Sequence, residues 1–370
     1  MLIDINTRAI PSDHRVVVAR PGANYRLYAD FVDGGFAGPE LPGMFLKNED
    51  ISSADQLLTA RILRAREIRR WHASGRPDDR LPDLDLSNYD NGSDDPGVGQ
   101  IYRVVNFYFR EAKKGDLIAV PPRNFAGKVH IGEFADDPAD IAKQDVERYP
   151  GDPIPARKVK WLGAIEKVDL PVRVIEAFRK PTPLLLVGMS DRDSFYSAAY
   201  RNFYREGHYS ATFDVTSAEF DTTSGSVIPA FFNFVAANTR EVDRDSGVAL
   251  SFGEGAFRSL GEYAPHLAID IQSPGILSIA SQYITPLVAS ALLALALTVG
   301  PLAADESFLA TLQIGNSAAP PDDACVVPVR EQVMTQMRLM GYDNWAHACE
   351  LLREAADKTG LQSEAVVKED

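Results

Sequence analysis

Apolar positions in this chain fall into three rhythms, and each predicts a different kind of element. Near the start, Val16–Ala19 reads as a short buried strand. Residues 54–73 carry Leu57, Leu58, Ile62, Leu63, Ile68 and Trp71 at helical spacing, with Ser52 or Ser53 placed to cap the helix. Residues 75–100 are rich in Asp, Gly and Pro, which predicts a loop. From Ile101 the rhythm shortens. IYRVVNFYF, GDLIAVPP, KVHIGEF, RKVKWLGAIEKV and TPLLLVGM are β-branched or aromatic runs punctuated by Pro and Gly, the pattern of a small barrel or curled sheet. Further on, YSATFDVTSAEFDTTSG alternates like a hairpin, SVIPAFFNFVAAN suits a helix and HLAIDIQSPG a strand. Residues 328–341 and 344–360 read as a helical pair, and the last residues, QSEAVVKED, as a frayed end.

The third rhythm is an unbroken apolar run. From Ile271 to Ala304, 34 consecutive residues carry no charge. A stretch of about 18 or more such residues is a candidate bilayer span. As one helix, residues 276–299 would rise about 36 Å, enough for a tilted crossing. Pro286 would kink that helix and Gly300-Pro301 would stop it. Counted only between the prolines it has the length of a buried core helix. The flanks, Asp270 and Asp305-Glu306, carry no basic bias to set an orientation. Both readings, spanning and buried, remain open on the sequence.

Charge and cysteine content narrow the function classes. A formal net charge of −14 over 370 residues excludes a general DNA-coating role, so any basic face must be local. The two cysteines, Cys325 and Cys349, lack metal spacing and suit a reducing compartment. The first residues lack the basic-then-apolar layout of a signal peptide. The six histidines are scattered, with no ligand spacing. Gly127-Lys128 is not a phosphate loop, and Gly253-x-Gly255 is not a dinucleotide fingerprint. The Asp83–Asp95 stretch lacks the glycine and closing Glu of a calcium loop. No nuclease metal motif is present either, so the expectation is no enzyme, no metal and no cofactor.

Three blocks of the strand region carry a family resemblance. They are KGDLIAVP (114–121), GKVHIGE (127–133) and RKVKWL (157–162), followed by DLPVRVIEAFRKPTPLLLV. In this order and spacing they resemble the EVE-like, PUA-like domain found in front of Mrr-type restriction proteins. The resemblance runs from about His14 to Met189 and implies a small barrel that accepts a nucleobase, often a modified one. A base pocket needs an aromatic face for stacking and polar groups for the base edge. Trp161 and Tyr149 are candidate faces, and Arg157 and Asn124 candidate polar contacts. Phe125 lies in the loop between the first two strands. The family's G-x-Y after the second strand is absent here. Phe134-Ala135-Asp136 and an acidic insertion stand there instead.

Two further clusters bear on binding. Five arginines fall within residues 61–70, and arginine suits phosphate, so Arg61, Arg64 and Arg69 are candidate phosphate ligands. Their alternative is a solvated helix paired with the acidic 78–95 stretch. In SFYSAAYRNFYREGHY, a continuous helix would stack Tyr196, Tyr200 and Tyr204 on one face beside Arg201 and Arg205, for nucleic acid, a membrane interface or plain packing.

Together these readings predict an α+β protein. Residues 1–189 would form the small EVE/PUA-like β-barrel with flanking helices, and 190–274 a second α+β region. Residues 275–304 would be a transmembrane or buried helix, and 305–370 a C-terminal helical pair. The layout resembles the membrane effectors of nucleotide-signalling antiphage systems of the Hailong type. On that reading the protein senses a nucleotide or short oligonucleotide and acts as a homo-oligomeric pore in the bacterial inner membrane, facing the cytoplasm. The alternative is a cytoplasmic reader of modified DNA or RNA acting with a separate nuclease.

Overall fold

A computed structural model describes residues 1–47, 55–78, 81–89, 97–179, 182–270, 275–320 and 323–368. The serines expected to cap the 54–73 helix, and residues 271–274 of the apolar run, lie outside the described residues. The chain forms two compact bodies, one of Asp13–Ala199 and one of Met1–Ser12 with Tyr200–Asp370. Strands β1 (Leu2–Asp4) and β2 (Arg8–Ala9) open the latter.

The Asp13–Ala199 body begins with β3 (Val16–Ala19), α1 (Tyr28–Gly34), β4 (Phe36–Ala37) and α2 (Asp55–Ala73). Next come α3 (Val98–Asn106), β5 (Leu117–Val120), β6 (Lys128–Phe134), β7 (Ala142–Gln144) and β8 (Ile154–Glu166). It ends with α4 (Val172–Arg179), β9 (Leu184–Leu186) and α5 (Arg192–Ala199). One mixed seven-stranded sheet runs β4-β8-β6-β5-β3-β9, with β7 added to β8. An irregularity in the β6–β8 ladder at Ile131/Gly132 lets the long β8 bend, as bulges do. Val17, Phe31, Ile62, Val105, Ile118, Phe134 and Ile154 lie in a shared core of sheet and helices.

One expected strand is a helix. IYRVVNFYF lies in α3, which continues into a wider π-type turn over Phe107–Glu111. Its Val, Tyr and Phe residues favour strands by type. Val98, Ile101, Val105 and Tyr108, however, recur at three- and four-residue spacing, and burying that stripe overrides propensity.

The other body continues with β10 (Phe203–Arg205), β11 (His208–Val215), α6 (Thr222–Asp243), α7 (Phe252–Ala256), β12 (His266–Asp270) and β13 (Gly275–Ser281). It closes with α8 (Thr285–Thr298), α9 (Glu306–Thr311), β14 (Gln313–Gly315), α10 (Val326–Thr359), β15 (Leu361–Ser363) and β16 (Val366–Lys368). One sheet is ordered β12-β13-β11-β10-β2 with β15 on β11, and a second is ordered β14-β1-β16. β2 pairs in parallel with β10, Arg8 beside Phe203 and Ala9 beside Tyr204. Asp13–Ala199 is thus an insertion between two neighbouring strands.

The candidate transmembrane helix is not there. Residues 276–299 divide into β13 and α8. Burial alternates along β13, the signature of a sheet with one covered face. The Oγ of Ser281 accepts the Tyr283 N–H at 3.1 Å and starts the turn between them. Pro286 sits in the first turn of α8, where a missing N–H costs nothing, instead of kinking a longer helix. The 14-residue α8 packs against α6, α10 and β11, buried on every side from Thr285 to Ala296. No helix among the described residues is long and apolar enough to cross a membrane.

Two other expectations fail. Residues 362–368 are not frayed, because β16 pairs with β1, and Lys368 meets Asp4 at 2.6 Å, while the last two residues lie outside the described ones. The tyrosine stripe does not form either. α5 ends at Ala199, and Tyr204 lies in β10 with its ring stacked on Tyr209. Tyr196 is buried, its hydroxyl 3.2 Å from His14 Nδ1. The expected helical pair is α10, interrupted at Gly341, whose φ of 67° breaks the helix.

Candidate ligand pocket

One cavity of the Asp13–Ala199 body, about 250 Å³, is built from three local motifs. The first is the turn after β3, residues 20–27. Gly22 has φ 73°, and Asn24 and Tyr25 adopt left-handed values of 56° and 60°. Two successive non-glycine residues in that region store strain of the kind found at ligand sites. The turn is held by Leu27 N–H to the Pro21 carbonyl at 3.0 Å and by Ala23 N–H to Glu40 Oε2 at 2.8 Å.

The second motif is Gly38-Pro39-Glu40-Leu41. A Cβ on Gly38 would lie 2.3 Å from the Pro155 carbonyl, so only glycine lets this segment run against β8. That close approach delivers Glu40 to the cavity. The third motif is helical. Arg69 comes from α2, Ile101 and Val104 from α3, and Tyr108 from the π-type turn; Arg20 and Pro183 complete the lining.

Glu40 organises the polar side. Its Oε1 accepts the Tyr149 hydroxyl and Arg26 Nε, and Arg69 Nη1 stands 3.8 Å from Oε2. Burial and the Glu40 carboxylate raise the Tyr149 hydroxyl far above its ordinary value, so it stays a donor. The Tyr149 ring meets His72 edge-on at 5.3 Å, and His72 Nε2 lies 2.8 Å from Asp152 Oδ2. The cavity therefore presents one buried carboxylate, arginines and an asparagine against a wall of Leu41, Ile101, Val104 and Pro183.

The structure brings two of the expected site residues together here. Arg69 lines the cavity, and Tyr149 stands behind Glu40 as its support. Arg157 is wholly buried. Its Nη1 donates to the carbonyls of Tyr108 (3.0 Å) and Ala112 (2.6 Å), Nη2 to the Asp136 carbonyl and Nε to Asp136 Oδ1 at 3.2 Å. Its donors hold the turn that carries Tyr108. Trp161 is half-buried on β8, edge-on to His130 at 6.1 Å, and its indole N–H has no partner among the described residues. Asn124 offers its carbonyl to Lys167 Nζ at 3.3 Å, and Phe125 is exposed. Neither lines the cavity. Arg61 and Arg64 line a separate cavity of about 350 Å³ with Phe45 and Leu84, where Arg64 Nε donates to the Asp83 carbonyl at 2.9 Å.

Glu40, Arg20 and Asn24 were missed by sequence reasoning. One signal was present: Glu40 is the only charged residue in GGFAGPELPGMFL (34–46). A lone charge in a Gly- and Pro-rich apolar stretch is forced inward with its neighbours and must find partners. Among the described residues no group of His, Cys, Asp or Glu is arranged to hold a metal ion. Compared with protein families, curated proteins and solved structures, the chain finds no match.

Proposed function

We propose that this protein is a ligand-binding module, with its site in the Asp13–Ala199 body. More particularly, it is a reader of a nucleobase, presented by a nucleotide or by modified DNA or RNA, that acts with a separate nuclease. The observation that carries the reading is the cavity where Glu40 and Arg69 face one space beside apolar walls. At about 250 Å³ it falls just below the roughly 300 Å³ at which drug-sized sites begin, the scale of a single heterocycle. A few placed polar groups among apolar ones are the usual composition of a small-molecule site. The resemblance of the three strand blocks to EVE-like domains supports the same ligand class and a nuclease partner. The pore reading rested on the 276–299 helix, which is divided between a strand and a core helix.

The test is calorimetric titration of the full chain with nucleoside monophosphates and with short oligonucleotides carrying modified bases. At least one should bind, and Val104→Trp, which fills the cavity, should weaken that binding at least tenfold. Absence of binding to every member, or an unchanged affinity in a folded Val104→Trp protein, would refute the site.

A further inference from the structure

Within that reading, and resting on it, we propose that Glu40 and Arg69 read the hydrogen-bonding edge of the base. The protein would then accept only an unpaired base whose Watson–Crick edge keeps an N–H beside its acceptor. A carboxylate accepts and never donates, with about four acceptor positions over its two oxygens. Three are filled: Tyr149 and Arg26 at Oε1, and the Ala23 N–H at Oε2. The remaining one is on Oε2, the oxygen nearest Arg69. A guanidinium donates and never accepts. Arg69 makes no hydrogen bond among the described residues, and its 3.8 Å approach to Glu40 is too long to be one.

One acceptor-only group and one donor-only group thus stand side by side in the cavity. A planar ligand that satisfies both must carry an N–H next to a carbonyl oxygen or ring nitrogen. The Watson–Crick edge of every nucleobase has that arrangement. One methyl on the ring N–H of guanine or uracil, or two on the amino group of adenine or cytosine, removes the donor and leaves the Glu40 oxygen desolvated and unpaired, which a site built around a hydrogen bond rejects strongly. Base pairing occupies the same edge, so a base in a duplex must be extruded before it can enter. Arg20, Asn24 and Tyr108 add polar groups to the lining, whereas the wall of Leu41, Ile101, Val104 and Pro183 offers no side-chain donor or acceptor. A substituent on a ring carbon meets only apolar surface there. Modifications that this protein prefers therefore lie on ring carbons, off the pairing edge.

The experiment titrates the full chain with the monophosphates of adenosine, cytidine, guanosine and uridine. Each is paired with its edge-blocked counterpart: N6,N6-dimethyl, N4,N4-dimethyl, N1-methyl and N3-methyl. For any parent that binds, the blocked form should bind at least about thirtyfold more weakly. Arg69 is partly exposed and supports no other residue by a hydrogen bond among the described residues, so Arg69→Gln should fold normally. It should weaken the parent at least about tenfold and narrow the gap to the blocked form. Glu40→Gln serves as a second variant, with near-ultraviolet circular dichroism confirming that the 20–27 turn persists. Equal binding of parent and blocked forms overturns edge reading and leaves the base site standing, as does Arg69→Gln with wild-type affinity and discrimination. Binding of none of the eight ligands, or of oligonucleotides carrying the same bases, removes the base site and the edge reading together.

Discussion

Single residues in this protein act through what they exclude as much as through what they bond. Asp4 is nearly inaccessible. Burial opposes its ionisation, yet Lys368 at 2.6 Å and the backbone amides of Ser317 and Asn6 together bring its pKa down to about 2. A carboxyl depressed in the folded state contributes stability that is complete above its unfolded value, near 4, and lost as pH falls through about 2. Asp4→Asn should therefore cost about 2 kcal/mol at neutral pH and flatten the loss of stability between about pH 4 and 2. Urea titrations over that range would show it, and parallel curves for the two proteins would refute the role given to Asp4. At this scale the sequence was only partly legible. The count of arginines drew attention to Arg69 as a candidate phosphate ligand, whereas its neighbour Glu40 was marked only by being the lone charge of residues 34–46. Arg157 was singled out as a polar contact to a base edge, yet it is wholly buried with its donors on protein groups. Its partners are main-chain carbonyls of a helix end, which no sequence pattern marks.

At the level of elements, legibility followed periodicity. β5, β6, β8 and β9 were all expected as strands, because short apolar runs bounded by Gly and Pro have few other ways to bury themselves. α3 was misread because residue type was weighed above spacing. The apolar run from 271 to 304 was long enough to span only if read as a single helix. Its polar break at Ser281-Gln282-Tyr283 was the overlooked division. α8 belongs to the core, so its side chains are tested by packing. Leu293→Ala should destabilise the protein by about 3 kcal/mol, the transfer and cavity terms of a fully buried leucine. A guanidinium denaturation midpoint unmoved by that substitution would contradict the burial of α8.

On the scale of the whole molecule, the insertion of Asp13–Ala199 between β2 and β10 implies that the inserted body folds by itself. Its core and sheet are assembled from its own residues. Expressed as residues 13–199 it should give a single cooperative melt and a dispersed amide spectrum. A molten product, with broad lines and no transition, would show that it needs the rest of the chain. The order in which the chain is made then matters for the other body. β1 pairs with residues 313–315 and 366–368, and β2 with 203–204. At about 5–20 residues per second on the ribosome, β1 waits from roughly twenty seconds to over a minute for its partners. Meanwhile the inserted body is complete and β1 is an orphan edge beside other nascent chains. An unpaired strand invites association with foreign strands, and a short one bearing a charge resists it. The carboxylate of Asp4 within Leu-Ile-Asp thus acts before the fold exists, keeping the waiting strand soluble until Lys368 is synthesised to meet it.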